Sequence, residues 1–156
     1  MIEPEGAGDQ VKTSDEHTAT NNRSIGTNEQ DRKRGRDPIY VAIHTNDLQT
    51  LKDQLKRDQS IAKRLVRTPA GKLKSPSEIV VAHDRVQMAQ VLLIAGADIK
   101  TRTDRDTSLL NLACRNGCIE MSRLLMSHGL SPNDVDREGR TCFMFACSWG
   151  SLDLVM

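Results

Sequence analysis

Aromatic side chains are scarce in this chain, which has one Trp, one Tyr and two Phe among its 156 residues, or 3%. That content is low for a β-sandwich and for an enzyme whose pocket is lined with aromatic rings. The core must therefore be built from Leu, Ile, Val, Ala and Met side chains, which suits stacked helices.

Three further absences limit the class of protein. No apolar run approaches the roughly 18 residues that a membrane-spanning helix needs, so we expect no membrane insertion. The N-terminal sequence MIEPEGAGDQ is acidic and lacks the apolar centre of a secretory signal. This difference favours a cytoplasmic and/or nuclear location. The balance of 22 basic and 21 acidic residues creates no general electrostatic field, which argues against nucleic acid as the partner.

What the chain does have is a regular series of polar residues. Asp37, Ser75, Ser108 and Thr141 follow one another at intervals of 38, 33 and 33 residues, and each opens a similar segment. Side chains of this kind accept hydrogen bonds from the free N–H groups at a helix N-terminus. A period near 33 residues is typical of a protein built from repeats that stack side by side.

Each unit has the same internal pattern. In the third unit a helix follows Ser108, Gly117 breaks it, and a second apolar stretch ends at Gly129, where a left-handed residue closes a helix. Polar connectors at 97–107 and 130–140 predict hairpin-like projections. The predicted layout is a disordered lead over 1–36 with a basic cluster at 31–36, and a repeat domain over 37–156 with units at about 37–69, 70–102, 103–135 and 136–156.

The longer first interval places an insertion in the first unit. The added residues fall within 60–74, and the apolar residues there predict an extra helical turn over Ile61–Val66. The last unit is short, because only six residues follow Gly150 whereas eleven separate Gly117 from Gly129. We therefore expect either a fragment of a longer protein, which we favour, or an end that docks on something else.

The chain resembles the ankyrin repeat family over roughly residues 37–156. The likeness is carried by VQMAQVLLIAGADIK (86–100), SLLNLACRNGCIEMSRLLMSHG (108–129) and DREGRTCFMFACSWGSLDLV (136–155). The resemblance implies an all-α fold, an ankyrin-repeat solenoid of about four stacked helix-turn-helix units with projecting hairpin loops, the last unit truncated. The family's His at the helix start, which ties neighbouring loops together, is replaced by Tyr40, Glu78, Asn111 and Met144, so we expect a less rigid array than a consensus one.

No group of residues predicts catalysis or a bound ion. The four cysteines form no C-x-x-C pair, and Cys114 and Cys147, one period apart, occupy equivalent positions where a buried Cys packs as a small hydrophobe. The acidic run from Asp134 matches the first half of a calcium loop, but position twelve is Phe145 instead of Glu. The histidines have no nucleophile beside them. We expect no enzyme activity, metal, cofactor or small-molecule substrate.

The resemblance implies that a protein partner of unknown identity binds in a concave groove formed by loop tips and first helices. We expect Trp149, the only Trp, to contribute most, because Trp and Arg are enriched at binding hot spots; the alternative is that it packs on a neighbouring repeat. Arginines interleaved with Asp104 and Glu138 indicate a protein surface and not a phosphate backbone. The predicted groove residues are His44, His83, Asp104, Arg105, Arg115, Asn116, Arg137, Glu138, Arg140 and Trp149, together with Thr45, Lys74, Thr107 and Ser148.

The sequence leaves three functions open. The leading hypothesis is a non-enzymatic protein–protein interaction module, an adaptor or an inhibitor. The chain could instead be the regulatory ankyrin segment of a larger enzyme, channel or kinase, or a nuclear transcription cofactor. In the last case Arg32, Lys33, Arg34 and Arg36 would form the import signal. Asn133 is either an ordinary turn residue or, by resemblance, a target of asparaginyl hydroxylation.

Overall fold

The computed structural model of the chain describes residues 36–148 and residue 150. The predictions for the lead over 1–35, for Trp149 and for residues 151–156 lie outside the described residues. The elements in chain order are α1 (Pro38–His44), α2 (Leu48–Arg57), a 3₁₀ turn (Gln59–Ala62), β1 (Val66–Arg67), β2 (Leu73–Lys74), α3 (Pro76–Ala82), α4 (Val86–Ile94), α5 (Leu109–Arg115), α6 (Ile119–Ser127) and α7 (Cys142–Ser148).

The four predicted helix caps are confirmed. Each side-chain oxygen accepts a hydrogen bond from a backbone N–H two or three residues further on, at 3.0 to 3.5 Å. Pro38 and Pro76 occupy the first helical position after their caps, where a missing N–H costs nothing. The short helices α1, α3, α5 and α7 therefore all start in the register that the sequence predicts.

The turn that follows the first helix of each unit contains a residue with a left-handed backbone. The residues at this point are Asn46, Asp84, Gly117 and Gly150, with φ values of 59°, 53°, 71° and 64°. Glycine adopts this conformation freely, and Asn and Asp tolerate it better than most other residues. The turn is therefore retained in the first and second units, where the residue is not Gly.

The helices form two layers. The first helices stack in the order α1, α3, α5 and α7, while α2, α4 and α6 form a second layer behind them. The third unit lies between two neighbours, and its first helix is therefore buried on every side from Leu109 to Cys114. The core between the layers is aliphatic, and its largest fully buried side chains include Ile39, Ile43, Leu51, Val80, Met88, Leu92, Leu109, Leu110, Met121 and Leu125.

The insertion in the first unit differs from its prediction. The extra turn is a 3₁₀ helix over Gln59–Ala62, and not a turn over Ile61–Val66. It starts earlier because the Asp58 carboxylate accepts a hydrogen bond from the Ser60 N–H at 2.9 Å and so caps the turn. Val66 instead begins β1, which pairs with the antiparallel β2, so that this connector is a short β-hairpin.

Three of the four cysteines are buried, as the packing interpretation predicts. Burial raises the pKa of Cys118 to about 11 and that of Cys142 to about 12, so both thiols stay protonated at neutral pH. The prediction is wrong for Cys147, which is exposed. Cys114 is covered because α7 packs on α5, whereas the described residues contain no further helix beyond α7 to cover Cys147.

Candidate functional site

A cleft of about 350 Å³ opens between the second and third repeats. One wall comes from β2, the start and end of α3 and the residues just before β2. The other wall comes from the loop at 103–105 and the end of α5. The lining residues are Lys72, Lys74, Glu78, Ala82, Thr103, Asp104, Arg105, Leu112, Arg115 and Asn116.

Five of the predicted groove residues line this cleft, and one of them is Lys74 of β2. Asp104 and Arg105 project from the loop, while Arg115 is the last residue of α5 and Asn116 follows it as the C-cap. Lys72 is not among the predicted groove residues, although Lys72 and Arg105 both lie three residues before the caps of their helices. That shared position is the signal by which Lys72 could have been found.

An ion pair lies in the wall of the cleft. Glu78, at the position of the family's His, is buried at 4% exposure, and its carboxylate accepts a hydrogen bond from Nζ of Lys74. A buried carboxylate needs such a partner, because an unpaired charge would cost several kcal/mol to remove from water. Lys74 and Glu78 therefore satisfy each other in the free protein.

Two predicted residues, His44 and His83, lie together on the first and second repeats. Their ring centroids are 5.3 Å apart in an edge-to-face arrangement, and Tyr40 stacks on His44 at 5.8 Å. Burial, together with the positive charge of His44, Arg85 and Lys74, lowers the pKa of His83 below its usual 6.5. His83 is therefore mainly neutral at pH 7.

His44 also lines a second, separate recess. This recess has a volume of about 240 Å³ and lies on the first repeat. None of its lining residues is shared with the cleft between the second and third repeats, so the predicted groove residues do not line one continuous pocket. The lining residues are Arg36, Tyr40, Val41, His44, Thr45 and Pro69.

Arg140, in the loop before α7, is held by contacts within the fourth repeat. Its guanidinium contacts the Asp136 carboxylate at 2.9 Å and the Glu138 carboxylate at 2.7 Å, and it lies 4.9 Å from the centre of the Phe145 ring. Burial acts to raise the pKa of Asp136, but hydrogen bonds from Arg140 and Glu138 outweigh it, and the pKa lies below its usual value. Asp136 and Arg140 thus shape the loop, and Arg137 and Glu138 are exposed on it.

Side chains of α5 and of the loop before it are hydrogen-bonded to the loop before α7. The Asn111 amide donates hydrogen bonds to the carbonyl oxygens of Asp134 at 2.9 Å and Arg140 at 3.3 Å. Arg102 donates to the carbonyl oxygen of Val135 at 2.7 Å. Asn111, at the position of the family's His, therefore makes such a link, and the lower rigidity expected of the array stays a prediction.

The described residues show two further features that bear on function. Within 36–148 and 150, no three His, Cys, Asp or Glu side chains come together in a group that could hold a metal ion. In the same part of the chain, no helix combines the length and the apolar character needed to cross a membrane.

Comparison with known proteins agrees with this architecture. A family model described as ankyrin repeats, three copies, matches residues 78–156, so the chain belongs to the ankyrin repeat family. The chain is also 33% identical over 73 residues to the Ankyrin repeat and KH domain-containing protein mask-1 of Caenorhabditis elegans. That match covers 46% of this chain and 3% of the relative, so the chain spans only a small part of the relative's length. Ankyrin repeats are generally protein–protein interaction modules.

Proposed function

We propose that this chain is a non-enzymatic interaction module, an adaptor or an inhibitor, that holds a segment of one protein partner in the cleft between its second and third repeats. The observation that carries the proposal is the composition of the cleft. It brings together loop residues and first-helix ends from two repeats, the surfaces that a stacked array leaves free for binding.

The lining of the cleft favours a protein segment over a small molecule. Pockets for small molecules are lined mainly by apolar and aromatic side chains. Here only two of the ten lining residues, Ala82 and Leu112, are apolar, and the rest offer charges, amides and hydroxyls. Such a lining matches the alternating donors and acceptors of a peptide backbone and its polar side chains.

Site-specific photo-crosslinking tests this proposal. A photoreactive residue is placed at Asn116, in the cleft, and in a control protein at Gln90, which is exposed on α4 in the other layer. We expect a discrete crosslinked partner, identified by mass spectrometry, from position 116 and not from position 90. Equal crosslinking from both positions, or a partner captured only through position 90, would place binding on another face and contradict the proposal.

A further inference from the structure

The cleft is more basic than the protein that surrounds it. Four basic side chains line it against two carboxylates, although the whole chain has a net charge of only +1. The excess of positive charge is therefore local. A local field of this kind favours partners of opposite charge by steering and by complementarity.

The two cations that can meet a partner lie on opposite walls. Lys74 is already neutralised by Glu78. Lys72 and Arg105 are exposed, one from the second repeat and one from the third, and neither makes an ion pair with any residue in the described part of the chain. Two cations without an ion-pair partner in the described part of the chain therefore line one cleft, one from each repeat.

The other lining groups indicate which kind of anion fits. The Arg105 guanidinium can hold a carboxylate with two parallel hydrogen bonds. Asp104 is also exposed, and its carboxylate can accept hydrogen bonds but cannot donate them. It therefore suits a backbone N–H and would repel a closely spaced row of phosphates. Ala82 and Leu112 add an apolar strip to the walls. Carboxylates separated by amide groups and aliphatic residues satisfy all of these groups, whereas a phosphodiester backbone does not.

We propose that the cleft recognises an acidic peptide segment, with Lys72 and Arg105 pairing with its Asp or Glu side chains from opposite walls. This inference rests on the proposed function, which it deepens by giving the chemical class of the bound segment. Asp104 and Asn116 then contact the peptide backbone, and the strip formed by Ala82 and Leu112 accepts an aliphatic side chain.

The test uses the full chain and a random peptide display library as the probe. Recovered peptides are synthesised with a fluorescent label, and their affinity is measured by anisotropy. The variant Lys72→Glu/Arg105→Glu reverses both cleft cations. Its matched control, Lys52→Glu/Lys63→Glu, makes the same change of net charge at two exposed lysines of the first repeat that do not line the cleft. Thermal melts followed by circular dichroism check that both variants fold.

We expect the recovered peptides to be enriched in Asp and Glu. The cleft variant should weaken binding by about ten-fold or more, because each ion pair between Lys72 or Arg105 and a peptide carboxylate is replaced by repulsion. The control should change affinity by less than about two-fold. Replacing the peptide's Asp and Glu by Asn and Gln should weaken binding similarly, and added salt should weaken the original peptide most.

Three outcomes would overturn the inference. Peptides that require the cleft but are not acidic would refute it while leaving the proposed function intact. Equal losses in the cleft variant and the control would show that only net charge matters. If oligouridine RNA bound more tightly than any recovered peptide, and lost affinity in the cleft variant, the cleft would be a nucleic-acid site. Recovery of no peptide that competes with crosslinking from position 116 would contradict both the inference and the proposed function.

Discussion

The buried amide of Asn111 offers a direct test of how the repeats are held together. Asn111 is 0% exposed, and its Nδ2 donates to two carbonyl oxygens in the loop that precedes α7. In Asn111→Ala both hydrogen bonds are lost. The Arg140 oxygen keeps the hydrogen bond that it accepts from the Asp136 N–H at 3.0 Å, but no other described group donates to the Asp134 oxygen. The substitution should therefore leave one backbone acceptor without a partner.

The expected loss of stability follows from these contacts. Two hydrogen bonds contribute roughly 1 kcal/mol each, and the unpaired Asp134 oxygen adds about 1 kcal/mol, the low end of the range for a buried acceptor, because this site is only part-buried. Part of this cost is offset by the loss of Oδ1. This buried oxygen of Asn111 has no hydrogen-bond partner among the described residues, so its removal relieves the cost of burying an unpaired acceptor. We expect Asn111→Ala to lower the free energy of unfolding by about 2 kcal/mol, a change of roughly thirty-fold in the folded-to-unfolded ratio.

Urea denaturation followed by far-ultraviolet circular dichroism measures this change. Asn116→Ala is the matched control, because Asn116 is exposed at the end of the same helix and should shift stability by less than about 0.5 kcal/mol. Equal stability of Asn111→Ala and the wild type would refute the conclusion that this amide holds the two repeats together.

A second substitution at the same position separates the hydrogen bonds from the packing. Asn111→Asp keeps the shape of the side chain but turns a carboxylate oxygen towards two carbonyl oxygens. At pH 7 it should be less stable than Asn111→Ala, because an unpaired buried charge costs more than a small void. Its deficit should shrink as the pH falls, because the protonated acid can donate to the Asp134 oxygen. A deficit independent of pH would show that water reaches this site.

Two further predictions concern the cysteines and His83. Iodoacetamide should modify Cys147 first in the folded protein, because Cys147 is exposed. The pKa of Cys118, about 11, makes its thiolate roughly a hundred times scarcer than a pKa of 9.0 would. Mass spectrometry of the modified peptides checks this order, and uniform labelling would contradict the fold of α6 and α7. Because the folded-state pKa of His83 lies below 6.5, the unfolded chain binds the proton first, so stability should fall as the pH drops through and below 6.5. His83→Gln should reduce that fall in urea midpoints between about pH 7.5 and pH 5.5, and an unchanged fall would assign it to other groups.

The features that the sequence predicts well are local ones. Each cap and its helix lie within a few residues of one another, so the spacing of Asp37, Ser75, Ser108 and Thr141 was sufficient to locate four helix starts. Burial in a stacked array depends instead on the neighbouring unit. Cys114 and Cys147 occupy equivalent positions, yet only Cys114 has a described helix packed beyond its own.

The candidate site shows the same division. Arg105 and Arg115 could be placed near one another from the repeat register, because both belong to the third unit. The predicted groove included Lys74 of the connector before α3 but not Lys72, because the insertion disturbs the register of that connector. That connector folds into a hairpin, and Lys72, just before β2, lines the cleft together with the loop of the next repeat.

The link between the third and fourth loops has a consequence for how such a protein can diverge. Its donors, Arg102 and Asn111, are side chains, but its acceptors at Asp134 and Val135 are main-chain oxygens that any residue supplies. The two donor positions, one in the loop before α5 and one within α5, are therefore constrained, while substitutions at the accepting positions leave the connection in place. A lineage can thus sample new side chains at the tip of the following loop without first finding a compensating change elsewhere.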